Sequence, residues 1–208
     1  MKVAIIDYNM GNLHSVGRAV THVAPAETQI AITADPDFIR HADRIVFPGQ
    51  GAARDCMREL ETRGLTEVVR EVAKTKPFLG ICMGMQVLMD FSEENGGVEC
   101  MGLYAGKVNS FKSLALAQLK TPQMGWNQIQ QTQPHPLWAG ITDNSRFYFV
   151  HSYYVQPEDA QLVTGGTCYG LKYASAIAHE NLFAIQAHPE KSAADGLRLL
   201  ANFMHWQP

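Results

Sequence analysis

The sequence has little that would tie it to metal, nucleic acid or membrane. Its four cysteines, Cys56, Cys82, Cys100 and Cys168, form no CxxC pair and no zinc-ligand spacing, so neither a redox dithiol nor a zinc site is expected. The formal net charge is only −3, which leaves no electrostatic case for a polyanionic partner. No apolar run approaches the roughly 20 residues that span a bilayer. No G-x-G-x-x-G opens the first helix, which argues against a dinucleotide-dependent dehydrogenase. Repeats, low-complexity tracts and long linkers are all missing, so one domain over residues 1–208 is expected. The first residues, Met1 to Asp7, turn polar too early for a signal peptide and read as a strand. A cytoplasmic location with reduced thiols is the corresponding expectation.

What remains is an ordinary globular composition, 46% hydrophobic and 18% charged, sufficient for a sizeable core. Residues 2–7 predict a first strand, and Leu13, Val16 and Val20 fall on one face of a helix over about 13–23. Ile30–Ile32 and Arg44–Phe47 predict two further strands, the second ending in Pro48-Gly49-Gln50-Gly51. A helix to about Arg63 follows, then Leu65, Val68, Val69 and Val72 at amphipathic helical spacing. This alternation predicts a doubly wound α/β fold with a parallel sheet. From about residue 102 the segments become short, rich in Thr, Val, Tyr and Phe, and broken by Gly, Pro and Asn. Phe147–Val150, Leu162–Thr164 and Leu182–Gln186 predict strands there, and Leu197–Trp206 a closing helix.

The chemistry concentrates at Cys82. The run Pro77-Phe78-Leu79-Gly80-Ile81-Cys82-Met83-Gly84-Met85-Gln86 reads as a buried strand that turns into a helix carrying Val87, Leu88 and Phe91 on one face. Glycines at i−2 and i+2 give the spacing of a nucleophile elbow with Cys in place of Ser. Gly removes Cβ atoms where neighbouring backbone must pass close. The helix N-terminus would favour thiolate and offer N–H groups to a developing oxyanion.

A cysteine nucleophile needs a base, and the base an orienting group. Of eight histidines, His188 stands in Ala187-His188-Pro189-Glu190, directly after an apolar strand. Pro189 biases His188 toward extended backbone, in which residues i and i+2 share a face, so Glu190 can orient the imidazole. Sites in α/β proteins lie beyond the carboxyl ends of strands, where both Cys82 and His188 are expected. Taken singly, each motif suits a core cysteine or a structural histidine; the order Cys…His…Glu makes the set a catalytic candidate.

With these residues in hand, Gly80–Gln86 and Ala187–Glu190 resemble the class I (triad) glutamine amidotransferases over nearly the whole chain. Asp7-Tyr8-Asn9-Met10-Gly11-Asn12-Leu13-His14-Ser15-Val16, Met124-Gly125-Trp126-Asn127 and Phe147–Tyr153 narrow the resemblance to the glutaminase subunits of imidazole glycerol phosphate synthase. Gln123 is a departure, since those subunits usually carry His there. The resemblance implies a flavodoxin-like fold, with a mostly parallel or mixed central sheet and a second small antiparallel sheet. It implies glutamine hydrolysis through a thioester by Cys82, His188 and Glu190. It assigns oxyanion donors to Met83 and the Gly49–Gly51 loop, and the glutamine α-groups to Gln86, Glu94, His151, Ser152 and Tyr153. It also implies ammonia transfer, without a cofactor, to a (β/α)8-barrel cyclase subunit in a heterodimer. Asn12, Trp126, Tyr148 and Lys191 match positions near that interface. Alternatives on related folds are an amidotransferase subunit for another acceptor, such as in pyridoxal phosphate synthesis, a Cys peptidase or γ-glutamyl hydrolase, and a redox-sensing relative.

Overall fold

The computed structural model describes residues 1–113 and 119–208. Its first half alternates strand and helix: β1 (Lys2–Ile6), α1 (Leu13–Val23), β2 (Gln29–Thr33), α2 (Pro36–His41), β3 (Arg44–Gly49), α3 (Ala53–Thr62), α4 (Thr66–Thr75), β4 (Phe78–Cys82) and the single turn α5 (Met83–Gln86). Short strands follow: β5 (Phe91–Ser92), β6 (Val98–Glu99), β7 (Gly106–Ser110), β8 (Gln123–Gln128), β9 (Gln130–Gln131), β10 (Arg146–His151), β11 (Tyr153–Pro157), β12 (Val163–Tyr169), β13 (Leu171–His179) and β14 (Leu182–Ile185). The helix α6 (Ala193–His205) closes the chain.

Among the described residues the main sheet runs β2-β1-β3-β4-β14-β13-β11-β7-β5-β6, with β12 and β9 attached beside β13. The β2-β1-β3-β4-β14 block is parallel. From β14 outward the pairing turns antiparallel through β13, β11 and β7. A separate two-stranded antiparallel sheet joins β8 to β10. The expected mixed central sheet and second small antiparallel sheet are both present.

The core explains why the parallel strands read as continuous apolar runs. Every residue of β3 and β4 is buried, as expected of strands covered on both faces. In β1, Ala4 and Ile6 join the layer containing Leu60, Val68 and Val72, from α3 and α4. Val3 and Ile5 join the opposite layer, with Val16 and Val20 of α1 and Leu199, Leu200 and Phe203 of α6. The twofold alternation of a strand thus distributes one short sequence between two cores.

Several element bounds differ from expectation: β14 ends at Ile185, before Gln186, and α6 runs from Ala193 to His205. Pro48 and Gly49 extend β3 instead of forming the following loop. Leu162 belongs to a 3-10 turn, and β12 starts after it. The helix α2 was not foreseen; it opens with an Asp35 side chain accepting from Asp37 N–H at 3.0 Å and Pro36 in the first turn.

Candidate active site

The parallel registry gathers the site. Gly49 at the end of β3 pairs with Cys82 at the end of β4, and Ile81 pairs with Ile185 at the end of β14. The three strands therefore deliver the Gly49 loop, Cys82 and the segment running into His188 to one edge, at their carboxyl ends.

Cys82 sits at φ 56°, ψ −109°, a backbone region that costs a non-glycine residue of order 1–3 kcal/mol. Its neighbours enforce that turn. A Cβ on Gly84 would lie 1.9 Å from the Phe47 carbonyl oxygen, and one on Gly80 would lie 2.8 Å from the Gly84 oxygen. The elbow is thus packed directly against β3. The helix after it is shorter than expected: Val87 and Leu88 are buried but lie beyond α5, and Phe91 is in β5. The carbonyls of Val87, Leu88 and Met89 accept from Met101, Leu103 and Gly102 N–H groups, so a returning loop replaces the i+4 partners of a longer helix. Cys82 therefore faces the first N–H groups of one turn and not a long helix dipole.

His188 Nδ1 and Glu190 Oε1 are 2.8 Å apart, and both side chains are almost fully buried. The pairing does not arise from extended backbone throughout. His188 is extended (φ −101°, ψ 95°), as its proline neighbour requires, while Pro189–Lys191 form a 3-10 turn that swings Glu190 back under the imidazole. Ser192 Oγ donates to His188 O at 2.6 Å and accepts Tyr148 N–H at 2.9 Å, pinning that turn to β10. His188 Nε2 makes no hydrogen bond among the described residues. Burial acts to lower the His188 pKa, but the interactions with Cys82 and with the Glu190 carboxylate outweigh it, and the imidazole is pushed up to about 10. The two partners thus favour the protonated imidazole.

Cys82 and His188 open into a cavity of about 420 Å3, also lined by Gln50, Gly51 and Met83, and by Gln86, Glu94, His151, Ser152 and Tyr153. Of the sequence-derived catalytic and substrate-binding residues, all but Gly49 and Glu190 line this cavity; Glu190 stands behind His188, and Gly49 immediately precedes Gln50 at the end of β3. Several members also have local partners. Gln86 is buried, with Nε2 donating to Tyr153 O at 3.1 Å. Glu94 accepts from Ala53 N–H and so caps α3, whose own cap residue Ala52 provides no side-chain bond. Partial burial raises the Glu94 pKa. His151 points its ring away from solvent, with Nδ1 2.7 Å from Tyr153 O and Nε2 3.2 Å from the Tyr173 hydroxyl. Burial pushes that imidazole down to about 4, so it is neutral. Gln123 lies in the same buried group, 2.9 Å from the Tyr173 hydroxyl.

Two features escaped sequence reasoning. Gln186 is fully buried, with Nε2 3.6 Å from Cys82 Sγ; a polar residue ending an apolar strand two positions before His188 was the available signal. Tyr8 is fully buried, and a Cβ on Gly49 would lie 2.1 Å from its hydroxyl. Gly11 packs on Gly49 and Gln50, and Met10 on Gly51. The Tyr8–Gly11 segment therefore backs the Gly49–Gly51 loop beside Cys82, a contact between positions far apart in sequence.

At the rim, Trp126 is 45% exposed and meets Tyr148 edge to face at 6.1 Å, and Lys191 Nζ stands 5.9 Å from the Tyr148 ring. Asn12 is exposed and caps α1 by accepting Ser15 N–H at 3.3 Å. Among the described residues no cluster of His, Cys, Asp and Glu could hold a metal ion, and no helix is long and apolar enough to cross a membrane.

The profile of the family "Glutamine amidotransferase class-I" matches residues 4–206. A protein of Aromatoleum aromaticum described as "Imidazole glycerol phosphate synthase subunit HisH" is 54% identical over 211 residues, covering 99% of each chain. One of the same description from Hydrogenovibrio crunogenus is 54% identical over 204 residues, covering 98% of this chain and 96% of the relative. Among solved structures, a putative GMP synthase subunit from Thermoplasma acidophilum superposes with a TM-score of 0.71 at 15% identity, over 99% of this chain and 92% of that one. The glutaminase domain of Trypanosoma brucei CTPS gives 0.62 at 14% identity, over 100% and 95%. At such low identity these two neighbours speak for the fold.

Proposed function

The chain belongs to the class I glutamine amidotransferase family, and from that premise we propose that it is the glutaminase subunit of an imidazole glycerol phosphate synthase. It hydrolyses L-glutamine to glutamate and ammonia and passes the ammonia to a cyclase subunit. The observation that carries this reading is the convergence of Cys82, at its strained elbow, with the His188–Glu190 pair on one cavity of amino-acid size.

Cys82 Sγ attacks the side-chain amide carbon of glutamine, and the carbonyl oxygen takes up the negative charge. Met83 N–H, which as the first residue of α5 has no partner within that helix, is one oxyanion donor. A backbone N–H of the Gly49–Gly51 loop is the other. The carbon–nitrogen bond then breaks as His188 Nε2 gives its proton to the leaving nitrogen, releasing ammonia and leaving a thioester. Water attacks the thioester, His188 takes up its proton, and glutamate leaves with Cys82 regenerated. Proton transfer of this kind typically contributes ~10²–10⁴-fold. Glu190 holds the ring and stabilises the imidazolium. Gln86, Glu94 and the His151–Tyr153 backbone bind the α-ammonium and α-carboxylate.

Ammonia released to neutral water would become ammonium and lose its nucleophilicity, so a closed route to an acceptor-using subunit is required. Trp126 and Tyr148 are of the aromatic types enriched at interface hot spots, and with Lys191 and Asn12 they are proposed to face the (β/α)8-barrel cyclase. The test is glutamate release from glutamine by wild type and Cys82→Ala, each with and without the cyclase and its nucleotide ligand. Turnover that needs both Cys82 and the cyclase is expected. Turnover indifferent to the cyclase would refute the pathway while sparing the glutaminase chemistry, and turnover surviving in Cys82→Ala would refute the triad.

A further inference from the structure

Gln186 has no part in the mechanism above, yet it is the polar side chain nearest the nucleophile from the β14 side. It is fully buried, and its Nε2 is 3.6 Å from Cys82 Sγ. Its orientation can be settled by satisfiability alone. The Tyr153 carbonyl can only accept, so the Gln86 atom 3.1 Å from it must be the amide nitrogen. That nitrogen spends its second hydrogen on Gln186 at 2.9 Å, which must answer with its carbonyl oxygen. Only the Gln186 amide nitrogen is left to face sulfur. Gln86 Oε1, meanwhile, is buried with no hydrogen-bond partner among the described residues, and Gln86 lines the cavity.

We infer that Gln186 is a positioning residue for Cys82: its amide N–H donates to the sulfur, stabilises the thiolate at the strained elbow, and is itself held in the donating orientation by Gln86. The inference rests on Cys82 being the nucleophile. The pair of amides links the wall that receives the substrate's ammonium end to the atom that attacks its amide carbon. A substrate donor reaching Gln86 Oε1 polarises Gln86, strengthens its bond to Gln186 Oε1 and, through it, the N–H donated to sulfur. In the second half-reaction the same N–H stabilises the sulfur as it leaves the thioester.

The ionisable groups that bear on the sulfur are His188, Tyr8 and Cys56, with Glu190 behind His188 and Glu94 and Lys191 on the cavity wall. None of them is altered in the variants below. Gln186→Met keeps the length of the side chain and removes the donor. Gln186→Glu keeps an acceptor for Gln86 Nε2 and replaces the donor with a carboxylate. The assay is iodoacetamide alkylation of Cys82, followed as a function of pH by mass spectrometry of its peptide, without glutamine, and with circular dichroism to confirm folding. A hydrogen bond to a charged acceptor predicts that Gln186→Met moves the alkylation profile to higher pH by about one unit and lowers kcat about tenfold. Gln186→Glu should move the profile at least as far. If either folded variant gives a profile superimposable on wild type, the inference is wrong, even if kcat has fallen. If Cys82→Ala retains wild-type turnover, the reading beneath it fails instead, and the two failures are told apart by that control.

Discussion

Replacing Glu190 with Gln removes one charge from the best-defined contact in the site and little else. The 2.8 Å bond to His188 Nδ1 lies between two almost fully buried side chains, where water cannot substitute for the carboxylate. A hydrogen bond of this charge-assisted kind is worth ~1.5–3 kcal/mol. At 1.36 kcal/mol per unit, that lowers the His188 pKa by about 1–2 units, from a wild-type value of about 10. Gln can still accept the Nδ1 proton through its own oxygen, so the ring keeps its tautomer. With the charge loss expressed in the transition state, kcat should fall about 10- to 100-fold. The sign of the pH effect is set by His188 acting as the proton donor. The raised His188 pKa of about 10 belongs to the free enzyme, so the alkaline limb of kcat/KM is expected there, and in Glu190→Gln it moves to lower pH. The same linkage gives a stability signature. The raised His188 pKa stabilises the native state fully below the ordinary value near 6.5, and that contribution drains away between about 6.5 and about 10. The variant should lose less stability over this interval. Glutamate release with the cyclase partner present, measured from pH 6 to 10, together with melting curves over the same range, reads both effects. Unchanged kcat and an unchanged alkaline limb in a folded variant would show that Glu190 does not act on His188.

Other outcomes follow from the packing. Cys82→Gly should abolish glutaminase activity while relieving a φ of 56°, leaving the fold as stable as wild type or up to about 1–2 kcal/mol more stable by urea titration; a clear loss of stability would show that the elbow is not strained. Gly84→Ala places a methyl 1.9 Å from a backbone oxygen of β3, so it should destabilise by several kcal/mol and misplace Cys82, and a wild-type melting temperature would refute the packing argument. Trp126→Ala removes a half-exposed ring and should leave melting within about 0.5 kcal/mol of wild type while weakening cyclase binding by calorimetry; unchanged binding would remove this rim from the interface.

The expected strands and helices of the first half were legible because each is a local pattern. Val3 to Ile6 and Ile45 to Phe47 are apolar throughout, and the α1 and α4 stripes repeat at helical spacing. The helix α2 had its own signal in Asp35-Pro36, a cap followed by a first-turn proline, but with six residues it has too short a stripe for periodicity to detect. The elbow helix was overread for the opposite reason. Val87, Leu88 and Phe91 keep apolar spacing, yet the 101–104 loop claims the carbonyls a helix would need. Periodicity reports which residues face a core and not which partners their backbone finds.

The sequence by itself determined the candidate groups: a cysteine flanked at i−2 and i+2 by glycine, and a histidine two residues before a glutamate, separated by a proline that biases the backbone between strand and turn. Those are covalent and short-range facts, and no distant contact is needed to state them. Tertiary structure alone decided how these parts act on one another. Strand registry across β3, β4 and β14 brings Gly49, Cys82 and His188 to one edge. A 3-10 turn pinned to β10, and not an extended strand, puts Glu190 under the imidazole. Tyr8 behind Gly49, and Gln186 beside the sulfur, are contacts between residues 41 and 104 positions apart. Such contacts depend on the close packing of the whole sheet, because it is the density of the interior, and not any local propensity, that leaves those side chains nowhere else to go.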